Sequence, residues 1–302
     1  MILALALCLD AALGEPRWLW DRLPHPAVLM GRMVRTLDQT LNRAPFARAK
    51  GVLILAILVI VAGGIGWLLA QLGAIVSLVL AGILLAQRSL VDHVAAVGAG
   101  LRLSPKAGQR AVAMIVSRDV SQSTPSATAR SAIESLSENF SDGVIAPAFW
   151  FLVAGLPGIL IYKAVNTADS MIGYLSPRYA AFGWAAARTD DALNWVPARL
   201  SAGLLALAGG SLDRWRAIGA DAALHRSPNA GWPEAAMAQS LNIALAGPRS
   251  YDGQIKDLAW VNAGGRRTLT PGDIDAAIAI VWKAWRLALG AILVLGVLLW
   301  VF

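Results

Sequence analysis

The 302-residue chain is 57% hydrophobic and 15% charged, with a mean hydropathy of +0.58. Soluble domains carry about 25% charged residues, so composition excludes an ordinary water-soluble fold. The net charge of +7 comes from dispersed Lys and Arg with no recognition motif, which argues against nucleic acid as a partner and suits basic loops beside membrane lipid. The lone cysteine, Cys8, excludes an internal disulfide and any Cys-based metal cluster. No Pro/Ser-rich or charge-rich linker divides the chain, and one integral membrane domain over 1–302 is expected.

Residues 1–14 are apolar, but Asp10 interrupts the run, no basic residue precedes it and Leu7 stands before Cys8. This is a poor signal peptide and reads as a retained, partly inserted helix ending near Gly14 and Pro16. Residues 51–70 are an uncharged run of the length a membrane crossing needs, about 20 residues. Residues 72–86 form a shorter second arm of a tight hairpin. Arginines and Lys50 precede this pair and Arg88, Arg102, Lys106, Arg110, Arg118 and Arg130 follow it, which places both flanks in the cytoplasm by the positive-inside rule.

Residues 145–161 are apolar yet broken at Gly155, Pro157 and Gly158. A full crossing would separate the polar motifs on either side, so a re-entrant or kinked helical pair is expected, of the kind tolerated where it lines a protein cavity. Residues 200–210 are too short to span and grade into a helically spaced amphipathic stretch. Residues 226–270, rich in Gly, Pro and Asn, read as ordered loop with short helices. Residues 287–302 supply a last apolar helix behind a collar of Trp282, Lys283, Trp285 and Arg286. The fold class is all-α, a polytopic helical membrane protein with cytoplasmic helical loops.

Glu134, Glu138 and Asp142 repeat every four residues and share one helix face. Like charges at that spacing repel, and a hard cation such as Mg²⁺, carried by nucleotide phosphates, would relieve them. Asn166, Thr167, Asp169 and Ser170 follow the broken apolar segment at the other foot of the same hairpin, where they could converge with the acidic helix. Arg188, Asp190, Asp191 and Asn194 form a third polar group. Arg118, Arg188 and Lys163 are candidate anchors for an anionic substrate, since guanidinium suits bidentate phosphate contact. Ser227 and Asn229 lie in a turn, SPNAG, that can present backbone N–H groups to an anion. His25, His93 and His225 show no metal-ligand spacing and read as structural. P-loop, GxGxxG and GxSxG motifs are missing from the chain.

The segments LGEPRWLWDRLPHPAVLMGR, IVSRDVSQST, ESLSENFSDGVIAPAFW, NTADSMIGY, FGWAAARTDDALNWVPARL and SPNAGWPEAAMA, in that order, resemble the CobD/CbiB family of adenosylcobinamide-phosphate synthases. Ser117 stands where Gly is expected and Ala168 where a larger apolar residue is usual. Neither removes a polar candidate. The resemblance implies an inner-membrane enzyme with its site facing the cytoplasm. It would condense adenosylcobyric acid, a corrinoid, with aminopropanol O-phosphate or a related amino alcohol phosphate, at the expense of ATP with Mg²⁺. On that reading Glu134, Glu138, Asp142, Asn166, Asp169, Asp190 and Asp191 are catalytic candidates and the first three hold the metal. Arg118, Lys163, Thr167, Ser170, Arg188, Asn194, Ser227 and Asn229 are then the substrate and phosphate contacts. Other cobamide-assembly enzymes are possible partners. A transporter or sensor would also bear polar residues in broken helices, but no inverted repeat supports it. A non-enzymatic scaffold is the other alternative.

Overall fold

In this computed structural model residues 1–116, 118–251, 254–256 and 258–301 are described. In chain order the helices are α1 (Ile2–Leu13), α2 (Arg17–Trp20), α3 (Pro26–Leu41), α4 (Ala47–Ala70), α5 (Ala74–Leu84), α6 (Gln87–Leu103), α7 (Pro105–Val112) and α8 (Pro125–Phe140). A π-helical turn (Ser141–Ile145) then leads into α9 (Ala146–Ile172), followed by α10 (Trp184–Gly209), α11 (Trp215–Ala222), α12 (Gly231–Leu241) and α13 (Pro271–Val301). Among the described residues between α12 and α13 run four short strands, β1 (Leu245–Ala246), β2 (Arg249–Tyr251), β3 (Gln254–Lys256) and β4 (Trp260–Val261). Both ladders are antiparallel, β1 with β4 through Leu245 to Val261 and Ala246 to Trp260, and β2 with β3. These ladders stand where loop and short helix are expected from composition, because strands of two or three residues leave no period to read.

Among the described residues four helical stretches are long and apolar enough to cross a membrane: Ala47–Ala70, Ala74–Leu103, Pro125–Ile172 and Pro271–Leu298. The second arm expected at 72–86 is helical for only 11 residues, about 16 Å. Leu85 is extended, and the helix resumes at Gln87. On α4 the outward residues Leu53, Ile60, Trp67 and Leu68 are each at least half exposed, an apolar surface suited to lipid.

The chain packs as two compact units, residues 1–86 with 142–195 and residues 87–141 with 196–302. In the first, α9 is wrapped by α4, α3, α5 and α1. Helix α9 is not straight: Ala154 and Gly155 leave helical geometry, Gly155 with a φ of 62° that glycine tolerates. The chain reverses there. Tyr162 Oη donates to the carbonyl of Asp142 across 3.1 Å, although twenty helical residues would separate them by about 30 Å. A β-carbon on Gly158 would sit 2.2 Å from the Trp150 carbonyl oxygen, so glycine is what lets the arms touch, and one on Gly66 would meet Pro157 Cα at 2.6 Å. The arm from Asp142 to Val153 rises about 18 Å, short of the ~30 Å hydrocarbon core. Of the re-entrant or kinked pair expected from the GLPG break, the kinked helical pair is the geometry found.

Buried Val34, Ile54, Leu58, Ala168, Ile172 and Phe182 pack around the second arm near its foot, and Ala62, Leu84, Leu156, Ile159 and Leu160 near the tip. His25 begins α3: its Nδ1 accepts from Ala27 N (3.2 Å) and its Nε2 faces the Ile83 carbonyl (3.2 Å). That is a structural cap with Pro26 at the first helical position, and burial lowers its pKa, keeping the ring neutral.

In the second unit α8 is the central helix, packed by α6, α7, α12 and α13. Thr124 caps it by accepting from Ala127 N, with Pro125 next. Buried Val94, Val97, Val112, Ile133, Leu136, Met237, Ile274 and Val281 supply the core. The apolar stretch 200–210 ends α10 instead of running on into amphipathic helix. Gly210 adopts a φ of 71° and a 3-10 turn intervenes before α11.

Candidate active site

Two groups of the polar candidates form, one in each unit. In the first unit the hairpin and α10 build a buried network. Asp190 accepts from Asn166 Nδ2 (3.2 Å) and from Asn194 Nδ2 (3.0 Å), while Asn194 Oδ1 accepts from Tyr162 Oη (3.0 Å). Trp150 Nε1 adds a bond to the Leu193 carbonyl at 3.0 Å. Burial first, and then the charge of Asp169, push the Asp190 carboxyl up to about 7. Asp191 is also raised by burial, with Arg188 opposing. Arg188 approaches Asp191, not Asp190, at 4.0 Å and is largely exposed, a pair worth little in water. Thr167 Oγ1 donates to the Lys163 carbonyl within its own helix, and Ser170 is exposed. Lys163 is half-buried and lies within the electrostatic reach of Asp142, Glu15 and Asp10.

The second unit opens a cavity of about 280 Å³ lined by Arg118, Ser131, Glu134, Ser135, Glu138, Asn139, His225 and Glu234, with Ile115 and Val116. Glu134 is 3% exposed. Its Oε2 takes Arg118 Nη2 at 2.6 Å and its Oε1 takes the backbone N–H of Ala246 at 2.8 Å. Ala246 holds a left-handed φ of 57°, a strained position for a residue with a β-carbon and one that marks functional sites. Ser135 Oγ donates to the Ile115 carbonyl at 3.0 Å, fastening the Arg118 loop to α8.

Opposite, His225 Nδ1 accepts from Ser227 N at 3.1 Å and its Nε2 lies 3.8 Å from Glu234 Oε1. The backbone donor leaves Nδ1 as acceptor, so a neutral ring carries its proton on Nε2, toward Glu234. Glu234 is 3% exposed. Ser227 Oγ accepts from the N–H groups of Asn229 and Ala230, so its turn closes on itself, and Asn229 Oδ1 accepts from Arg199 Nη1 at 3.3 Å. Arg199 in turn stacks on Trp232 at 4.8 Å.

The expected triad of metal ligands is not assembled as such. Glu134 and Glu138 line the cavity of the second unit, whereas Asp142 sits in the π-turn and belongs to the first. Repetition every four residues is a statement about α-helix, and the wider π-turn breaks it. Among the described residues no group of three His, Cys, Asp or Glu side chains is placed to hold a metal. What remains is a pair of carboxylates on one cavity, Glu134 and Glu138, facing Glu234. Magnesium that arrives on polyphosphate needs one or two protein carboxylates, and this set fits that mode and not a protein-built cage.

Glu234 and Tyr162 are not among the candidates that the sequence offers, and His225 stands there only as a structural residue. The readable signal was the SPNAGWPEA segment, whose acid lies nine residues after the histidine and folds back beside it through the turn and the start of α12.

The CobD/Cbib protein family matches residues 3–281. The cobalamin biosynthesis protein CobD of Rhizobium meliloti (strain 1021) is 48% identical over 305 residues, covering 94% of this chain and 93% of its own. That of Brucella suis biovar 1 (strain 1330) is 44% identical over 313 residues, 97% of this chain and 95% of its own, and that of Rhodobacter capsulatus is 44% identical over 304 residues, with 98% and 96% covered. No solved structure matches the chain. By its ordered motifs and its similarity along nearly the whole length, the chain belongs to the CobD/Cbib protein family.

Proposed function

We propose that this chain acts in cobalamin biosynthesis as an ATP-dependent ligase of the bacterial inner membrane. Its reaction joins a carboxylate of adenosylcobyric acid to the amine of aminopropanol O-phosphate, or a related amino alcohol phosphate. The observation that carries the reading is the cavity around Arg118, Glu134, Glu138 and Glu234, in a chain whose full-length relatives are named cobalamin biosynthesis proteins.

A carboxylate is a poor acyl donor, so it is first phosphorylated. A carboxylate oxygen attacks the γ-phosphorus of ATP, the bond from that phosphorus to the β-phosphate oxygen breaks, and ADP leaves with the electron pair. The amine nitrogen then attacks the acyl carbon, the carbon–oxygen bond to phosphate breaks, and inorganic phosphate departs as the amide forms. Magnesium on the nucleotide would neutralise phosphate charge in the first step. An ammonium group is not a nucleophile and must lose a proton first. Three carboxylates against one guanidinium make the cavity a well for that ammonium, and Glu138 or Glu234 is the base that takes the proton. His225 acts as a positioning residue: anchored by Ser227 N, it directs Nε2 toward Glu234. Basic loops on both flanks of the first apolar pair argue for a cytoplasmic site, where ATP is found.

The test is isotopic. With ¹⁸O in the corrinoid carboxylate, purified protein should release inorganic phosphate containing one ¹⁸O for each amide formed. Unlabelled phosphate, or product that forms only when another enzyme is added, would exclude the acyl phosphate route or the ligase itself.

A further inference from the structure

Arg118 belongs to two hollows. Besides the acidic cavity it lines a surface groove of about 350 Å³ with Lys106, Gln109, Arg110, Asp119 and Ser121, between α7 and the loop before α8. The groove is built, not incidental. Gln109 Nε2 donates to the Ser123 carbonyl at 2.8 Å, tying α7 to that loop. A β-carbon on Gly100 would touch the Ala107 carbonyl oxygen at 2.9 Å, and Gly108 meets Leu101 as closely, so α7 lies flat on α6. The groove's one carboxylate, Asp119, accepts from Ser121 N at 2.9 Å, and that bond holds it ionised below its ordinary range. With Arg118 paired to Glu134, Lys106 and Arg110 against Asp119 still leave the groove net positive, while the cavity across Arg118 is net negative.

We propose that this groove binds the polyphosphate chain of a nucleoside triphosphate, with the terminal phosphate delivered at Arg118. The cavity's carboxylates suit the metal that a triphosphate carries and repel its bare oxygens, which Lys106 and Arg110 attract. A guanidinium has five donors in a planar fork and can hold a carboxylate and a phosphate oxygen together. Arg118 bound to Glu134 at 2.6 Å is therefore fixed where the groove's anion meets the chamber's substrate. The γ-phosphoryl group crosses at Arg118 to the waiting carboxylate oxygen, and ADP keeps the electron pair of the broken bond and remains in the groove. This placement rests on the ligase reading for its nucleotide, but the groove itself is open to any polyphosphate.

The experiment uses the full chain in lipid nanodiscs. Lys106 is acylated with an amine-reactive reagent, and its modification is read by mass spectrometry with Lys283 as internal reference. ATP and inorganic tripolyphosphate should each slow acylation of Lys106 and leave Lys283 unaffected. In parallel, Lys106→Gln with Arg110→Gln should raise the KM for ATP by at least about tenfold and leave the KM for aminopropanol phosphate unchanged. Amide synthesis with no protection of Lys106 and an unchanged KM for ATP would overturn the groove while the ligase stands. Protection of Lys106 in a protein that makes no amide would uphold the groove and defeat the ligase. If the double variant does not fold, protection in the wild-type chain decides alone.

Discussion

The two polar groups of this molecule use similar residues to opposite ends. In the first unit Asp190 and Asn194 of α10 bond to each other and to Asn166 and Tyr162 of the hairpin, and the result is a closed frame of Tyr162, Asn166, Asp190 and Asn194. In the second, the Arg118 and Glu134 pair borders a cavity large enough for a small polar substrate, and further carboxylates face the same space. Saturated polar networks rigidify, whereas carboxylates gathered on a cavity act on what enters it. The lesson is that acidic density in the sequence does not locate chemistry. What distinguishes a frame from a site is whether the acids point at each other's partners or at a space.

The sharpest way to break the frame is at the close approach of its two arms. Gly158→Leu would drive a side chain into the Trp150 carbonyl, 2.2 Å from where its β-carbon would lie. It should abolish recovery of folded protein from detergent extracts. Soluble, monodisperse Gly158→Leu protein would mean the arms do not pack as described.

Next in size is the pair at the cavity. Arg118→Ala leaves buried Glu134 without its guanidinium and should cost about 3 kcal/mol of stability. Adding Glu134→Gln should restore much of that loss. Additive losses in the double-mutant cycle, measured by denaturation in detergent, would deny the coupling.

Tyr162→Phe removes the hydroxyl that joins Asp142, Asn194 and both hairpin arms. About 1–2 kcal/mol is expected, the cost of stranding buried acceptors. If instead turnover collapses with stability intact, the frame is a site.

Within any single pH unit, the smallest effect is a slope in stability. The Asp190 carboxyl titrates at about 7 in the folded chain and near 4 when unfolded. Between those values the folded state keeps a proton that the unfolded state gives up, so stability falls as pH rises, by about 1 kcal/mol per pH unit. Asp190→Asn should flatten the thermal midpoint across pH 4.5–6.5, and an equal slope in both proteins would assign the titration elsewhere.

How much of this was legible beforehand follows from what is local. The apolar runs and the reversal at Gly155 are written in length and in Gly-Pro-Gly spacing, so the hairpin could be read directly. The polar motifs were also visible as motifs. Their grouping was not. Glu134 meets the N–H of Ala246, 112 residues away, through a strand of two residues that carries no periodic signal. Asp142 stands in the π-turn at Ser141–Ile145, outside the α-helix that carries Glu134 and Glu138. His225 and Glu234 looked unrelated because a turn and the first residues of α12 intervene.

Amide synthesis by purified Glu138→Gln and Glu234→Gln proteins, compared with Asn166→Ala as a probe of the frame, tests most directly where the chemistry lies. Loss of a general base lowers turnover by roughly 10²- to 10⁴-fold, and one of the two cavity variants should fall by that much with normal circular dichroism, whereas Asn166→Ala should lose stability and keep most of its turnover once folded. Full activity in both cavity variants, with Asn166→Ala folded yet inactive, would place the chemistry in the first unit and contradict the account.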